Sequence, residues 1–335
     1  MPDVVDGPPR AADRLTMIRL PIILPAVLTV AVAAYVGLSL VVYDGLSRIG
    51  SACADNQANR PDHFGCVTDC DEWQAFDFEA YSMPTYEEVH FPSRDGLQLS
   101  GWYIATDPDA AAIIVVHGYQ VCKFHHHPLA QAGALYRAGF NVLLFDQRDC
   151  GDSQTEDGRS AYGSEEYLDA LGAFDFLRSR GFADESIGMH GSSLGGAITL
   201  TAFAQEPRLK AIFLDSPLTD GRAQFSQYTG LPDALFPGVE WAARIVSGDT
   251  LLRHDPLDAI KGAQGRRLAV VHGTGDQVVR PSHTDQLLQV AAQHDVKIEV
   301  WKPTGVGHVG ALAVYPQEYE RRMAEFFSPQ APTAP

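Results

Sequence analysis

Hydrophobic positions fall into three regimes along the chain. From Leu20 to Tyr43 they are nearly continuous: LPIILPAVLTVAVAAYVGLSLVVY carries no charge. As a helix this run is about 36 Å long, enough to cross a hydrocarbon core of about 30 Å. Pro21 and Pro25 fall in its first turns, where a missing N–H is tolerated. Residues 44–84 follow with no sustained period, and Asn, Asp, Pro and Gly are scattered through them. Within them WQAFDFEAY (Trp73–Tyr81) is aromatic enough to dock on a neighbouring body. From Tyr86 onward short apolar runs alternate with helical periodicity.

YEEVHFP and LQLSGWYIA read as strands joined by SRDG, a hairpin-turn signal. AAIIVVHG, NVLLFD, SIGMHG, KAIFLDSP, RLAVVHGTGD and KIEVWK are short apolar runs suited to buried parallel strands. Between them PLAQAGALYRAGF, Ser164 to Arg180, LGGAITLTAFAQ, Ser282 to about His294 and EYERRMAEFF predict helices. This alternation predicts one doubly wound α/β domain with a mostly parallel sheet. In such sheets, function collects in loops at the carboxyl ends of strands.

Those loops hold the candidate chemistry. In MHGSSLGGA, the pattern Gly-x-Ser-x-Gly is met only with Ser193 at its centre. A sharp strand-to-helix turn pushes such a serine out at the top of a sheet, and flanking glycines avoid clashes in the turn. The N–H of Leu194 then opens a helix, where it can bind a developing oxyanion. A serine needs a base, and the base an orienting acid, each after a later strand. Asp276 follows AVVHGTG, and His308 lies in TGVGHVG after KIEVWK. Asp215, after AIFL, is the rival acid; His272 and His190 read as packing or supporting residues. In VVHGYQ the N–H of Tyr119 is the candidate second oxyanion donor, since Gly118 lets backbone approach closely.

KFHHHP (Lys123–Pro128) invites a metal reading, but consecutive histidines are not expected to converge on one ion and no carboxylate is spaced to complete a site. The reading is a pocket-lining loop with no metal. Cys122 and Cys150, in loops of neighbouring strands, could pair or remain free thiols. Cys66 and Cys70 could pair with each other or with Cys53 in an oxidising compartment. The net charge of −17 argues against a nucleic-acid partner.

The motifs HGY (117–119), DQRDCGDS (146–153), GSSLGG (191–196), HGTGD (272–276) and GHVG (307–310) together resemble the α/β-hydrolase superfamily from about Tyr86 to Phe327. Within it the chain looks most like bacterial membrane-associated serine hydrolases and their BEM46-like eukaryotic relatives. The resemblance implies an α/β-hydrolase fold, a Ser-His-Asp triad, no cofactor, and hydrolysis of a small-molecule ester, thioester or lipid. A peptidase and a non-catalytic binding protein on the same fold are the alternatives. One departure stands out: Asp149 occupies a position where the family commonly has glycine, and Cys150 follows it.

The expected organisation is a cytoplasmic tail (1–19), a transmembrane helix (20–43), a Cys-containing linker (44–84), a catalytic domain (85–328) and a tail (329–335). A helical cap is expected over about 217–256, with Phe225, Tyr228, Leu231, Leu235, Phe236 and Trp241 as pocket lining or cap core. Arg10, Arg14 and Arg19 before the apolar run place the N-terminus in the cytoplasm and the rest outside. A retained anchor competes with a signal cleaved at Ala52–Ala54 and with a buried core helix.

Overall fold

The structure, a computed structural model, describes residues 11–50, 53, 56–68 and 70–328, with side chains described from residue 24 onward. The tail 329–335, Ala52, Ala54 and the arginine side chains before the apolar run lie outside the described residues. Helix α1 (Ala11–Ser47) contains the uncharged run. Its segment Leu24–Ser47 has a mean hydropathy of 2.2. Only 11% of its most apolar stretch is buried, which removes the core-helix alternative and leaves an anchor or a signal sequence.

The body follows the predicted alternation. Its elements are β1 (Glu87–Pro92), β2 (Gln98–Ile104), β3 (Ala112–Val116), α2 (His126–Arg137), β4 (Asn141–Phe145), α3 (Tyr167–Ser179), β5 (Ile187–Ser192) and α4 (Leu194–Gln205). Then come β6 (Ala211–Asp215), α5 (Gly221–Thr229), α6 (Phe236–Val246), α7 (Asp258–Lys261), β7 (Arg267–Val271), α8 (Ser282–Gln293), β8 (Ile298–Trp301), α9 (Ala311–Val314) and α10 (Pro316–Phe327). The eight strands form one sheet in the order β1-β2-β4-β3-β5-β6-β7-β8. The β1–β2 and β2–β4 pairs are antiparallel and the rest parallel. Helix α3 starts three residues later than Ser164, because the Glu166 carboxylate turns back to accept from the loop N–H groups of Ala161 and Gly163.

The period of two in a strand divides the apolar residues between the two faces. Ile114, Val116, Leu143 and Phe145 pack toward α3, α4, α7 and α8. Ile113, Val115, Val142 and Leu144 pack toward α2, α9 and α10. The aromatic segment of the linker joins that second layer, with Trp73, Phe76 and Tyr81 buried in it. A third cluster lies above the sheet, where Tyr43 of α1 is buried among Phe225 of α5, Leu235 just before α6, and Phe236 and Val239 of α6.

Candidate active site

Every central strand delivers a loop to one edge of the sheet, and Ser193 lies at its middle, between β5 and α4. Its backbone has φ +56° and ψ −121°, a conformation costing a residue with a Cβ on the order of 1–3 kcal/mol. The surroundings hold it there. Its N–H donates to Asp215 O at 2.9 Å, and its carbonyl accepts from Gly196 and Leu218, each at 3.0 Å. The flanking glycines are sterically required. A Cβ on Gly191 would lie 2.4 Å from Gly195 O, and one on Gly195 would lie 2.2 Å from Val116 O.

Ser193, His308 and Asp276 meet at this edge. His308 Nε2 is 2.9 Å from Ser193 Oγ, and His308 Nδ1 is 2.7 Å from Asp276 Oδ2. The other oxygen, Asp276 Oδ1, accepts from the N–H groups of Val278 and Val279, each at 2.9 Å. His272, buried beneath, sits 3.3 Å from Asp276 Oδ2. Burial opposes the charge on Asp276, but the hydrogen bonds from His272 and His308 outweigh it and hold this carboxyl well below the ordinary range.

The rivals are engaged elsewhere. Asp215 accepts from Tyr319 Oη at 2.9 Å and Ser216 Oγ at 3.1 Å, and burial pushes its carboxyl up to about 6. His190 faces Tyr319 Oη at 2.7 Å, and burial holds its imidazole down to about 3. His117 accepts from the Gln147 N–H at 3.1 Å, so it is neutral and structural. Leu194 is the first residue of α4, and the turn after β3 runs against the serine: a Cβ on Gly118 would lie 3.2 Å from Ser193 Cβ. Both candidate oxyanion donors, the N–H groups of Tyr119 and Leu194, therefore flank Ser193.

The departure at Asp149 has a physical account. Its φ is +62°, the left-handed region that favours glycine, and Asp tolerates it by bonding locally. Its Oδ1 accepts from the N–H groups of Glu156, Asp157 and Gly158. Next to it, buried Arg148 forks onto buried Asp169 at 2.8 Å and reaches Asp95 at the same distance.

Cys66 and Cys70 form a disulfide, while Cys122 and Cys150 are buried free thiols. Cys53 is also free, and half-buried. The histidines depart from the sequence argument: one ring nitrogen from each of His125, His126 and His127 lies within 4.8 Å of the others. The tight turn into α2 gathers the rings, with His125 Nδ1 accepting from the His127 N–H. The Trp73 ring lies 5.0 Å from the ring of His126, edge-on, and 5.0 Å from that of His127, tilted.

A cavity of about 810 Å³ opens over Ser193. Phe225, Tyr228 and Phe236 line it from the cap, as one of the two sequence alternatives held, and Phe225 and Phe236 also pack the cap core. Trp241 does neither: it is 45% exposed on the outer face of α6. Sequence reasoning missed the opposite wall, made by Tyr43 and Leu46 of α1 and by Glu72 and Trp73 of the linker. Glu72 Oε1 accepts from the Gly307 N–H at 2.7 Å, next to His308. Its other oxygen fills the space where Gly310 lacks a Cβ. The aromatic run around Trp73 was the only signal of this wall, and it marked docking rather than lining.

Comparison with known proteins agrees with this architecture. The thiohydrolase aneE of Aspergillus aculeatus is 30% identical over 173 residues, which is 51% of this chain and 53% of that protein. The chain thus spans about half the length of that relative. Among solved structures, an esterase from Pyrococcus furiosus superposes with a TM-score of 0.59 at 24% identity, over 75% of this chain and 94% of that one. The acylaminoacyl peptidase of Pyrococcus horikoshii gives a TM-score of 0.56 at 21% identity, over 75% of this chain but 42% of that one. These structural likenesses establish the α/β-hydrolase fold. The model of the prolyl oligopeptidase family matches residues 130–332, from α2 through α10 and so across Ser193, Asp276 and His308. The chain belongs to the prolyl oligopeptidase family, a group of serine hydrolases on the α/β-hydrolase fold.

Proposed function

We propose that the protein is a membrane-anchored serine hydrolase that cleaves carboxylic esters or thioesters through an acyl-enzyme intermediate. The observation that carries this reading is the continuous chain Ser193 Oγ, His308 Nε2, His308 Nδ1, Asp276 Oδ2, with steps of 2.9 and 2.7 Å. With its proton on Nδ1, His308 accepts the Ser193 proton as Oγ attacks the acyl carbon. Asp276 fixes that tautomer and stabilises the imidazolium as it forms. The N–H groups of Leu194 and Tyr119 receive the oxyanion. His308 then returns the proton to the departing alcohol or thiol, and a water repeats the sequence on the acyl-enzyme. The similarity to a thiohydrolase favours esters and thioesters.

The reading keeps α1 as an anchor. Tyr43 and Leu46 line the cavity, and cleavage near Ala52–Ala54 would remove both. The Cys66–Cys70 disulfide and the arginines before α1 favour a body outside the cytoplasm. The motif resemblance to the BEM46-like group accords with this arrangement.

A fluorophosphonate probe tests the nucleophile: wild type should label, and Ser193→Ala should not. Equal labelling of the two would sink the proposal. The family match favours a second reading, a peptidase. Turnover of unactivated aminoacyl or peptidyl amides, which an esterase leaves intact, would replace the first reading with the second.

A further inference from the structure

Helix α1 does not leave the body as a free stalk. Its apolar run begins after Arg19, and about 20 helical residues cross a bilayer core of about 30 Å. The far hydrocarbon boundary therefore falls near Ser39. The first charge beyond it is Asp44, which pairs with Arg48 and Arg159. The last turns before the boundary touch the cap. Tyr35 Oη donates to Ala234 O at 3.0 Å, and a Cβ on Gly238 would lie 2.2 Å from Ser39 Oγ and 2.7 Å from the Tyr35 ring. The start of α6 is thus at the depth where α1 leaves the hydrocarbon.

The outer face of α6 has the chemistry of that depth. Pro237, Trp241 and Ile245 recur every four residues on one stripe, with Trp241 45% and Ile245 64% exposed. Trp and Tyr favour the membrane–water boundary, and an Arg there keeps its head in water while its stem covers apolar surface. Arg244 lies beside the stripe, and Asp233 and Glu240 flank it, a set that suits headgroup level and not the hydrocarbon core. On α1, Leu24, Val27, Leu28 and Val30 are exposed apolar side chains as well. The opposite face of α6 places Phe236 and Val239 on the cavity. At the cavity rim Tyr228 is 66% exposed. One helix therefore separates the acyl cavity from the leaflet.

We propose that α6 rests in the interfacial layer of the leaflet at the C-terminal end of α1, and that the cavity takes its substrate from that leaflet. The substrate class is an amphiphile whose long acyl chain is held by an ester or thioester bond. This rests on the ester-hydrolase reading above.

The test uses the full chain reconstituted in phosphatidylcholine vesicles. Lipids brominated on their acyl chains should quench a tryptophan signal in wild type that is missing from Trp241→Phe. The other three tryptophans are common to both proteins: Trp73 and Trp102 are buried, and Trp301 is half-buried on β8. The double variant Trp241→Glu/Ile245→Glu should hydrolyse a vesicle-borne long-chain acylglycerol at least tenfold more slowly than wild type. Its turnover of water-soluble p-nitrophenyl acetate should stay within twofold. Equal quenching of wild type and Trp241→Phe overturns the proposal, and so does an equal loss on both substrates. Unquenched Trp241 with a dimer that the double variant dissociates also overturns it, and assigns the stripe to a second copy. A wild type inactive on p-nitrophenyl acetate would instead defeat the ester reading, while the quenching result still decides where α6 lies.

Discussion

The two walls of the cavity are built in different ways. On the sheet side, Ser193 follows β5 directly, and Asp276 and His308 sit in the loops that follow β7 and β8. On the other side, Tyr43, Leu46, Glu72 and Trp73 come from segments that precede the first strand. The first wall is held by backbone hydrogen bonds and steric exclusion, as at Gly191 and Gly195. The second is held by docking: a buried aromatic cluster, one short disulfide and a few polar contacts. The difference teaches that the candidate catalytic groups are local to the strand ends, whereas the shape of the site depends on parts added from a distance.

The largest effects belong to the sheet wall. Ser193→Ala should lower kcat on a p-nitrophenyl ester by about 10⁴-fold or more, as expected when a triad nucleophile is lost. Asp276→Asn should cost on the order of 10⁴-fold, because the amide stabilises the wrong tautomer of His308. Steady-state rates on the full chain measure both. A Ser193→Ala variant retaining a tenth of the activity would move the nucleophile elsewhere.

The next effect is on stability. Arg148→Ala leaves Asp169 buried and unpaired, a loss of about 3–5 kcal/mol when one partner of a buried pair is removed. Chemical denaturation should register it as a lowered midpoint. An unchanged midpoint would mean the loop after β4 is not part of the frame.

These three variants also mark what the sequence could reveal. Glycines around Ser193 and the order of acid and histidine are short-range signals, tied to strands that the apolar runs delimit. The fold was legible for the same reason: eight runs of suitable length gave eight strands. The linker wall left no such trace. Nothing near Glu72 says that its carboxylate will meet Gly307, 235 residues later. Trp241 was misjudged because a tryptophan in an apolar stretch reads as core unless the neighbouring helix is known.

Acid separates the walls again. Burial holds His190, on β5, and His126, at the start of α2 against the linker, each down to about 3. Both values are depressed relative to an unfolded histidine near 6.5. Their contribution to stability is therefore complete above about pH 6.5 and is lost as pH falls toward 3. Asp215, raised to about 6, works in the opposite sense between its folded and unfolded values and softens the slope. For His190 the proton is taken up only on global unfolding, so Tm should fall with pH less steeply in His190→Gln than in wild type. For His126 a local undocking of the linker suffices. His126→Gln should leave the Tm slope nearly unchanged and should widen the acid limb of activity. Parallel Tm curves for wild type and His190→Gln would deny the first half of this contrast.

The smallest effect probes how the linker wall reaches the chemistry. Glu72 holds the Gly307 N–H, one residue before His308, and it lies two residues after the Cys66–Cys70 disulfide. Removing its acceptor forfeits a hydrogen bond worth about 1 kcal/mol, so Glu72→Ala should lower kcat/KM roughly fivefold through a less ordered His308. The loss should fall on kcat, since Ser193 and the apolar lining are untouched. Reduction of the disulfide loosens the same segment, and contacts that act through one unit do not add. Reduction should therefore slow wild type to the level of Glu72→Ala and slow Glu72→Ala little further. If reduction costs the variant as much as it costs wild type, the disulfide and the carboxylate act independently. The second wall would then be a set of separate contacts, and its contrast with the sheet wall would be sharper still.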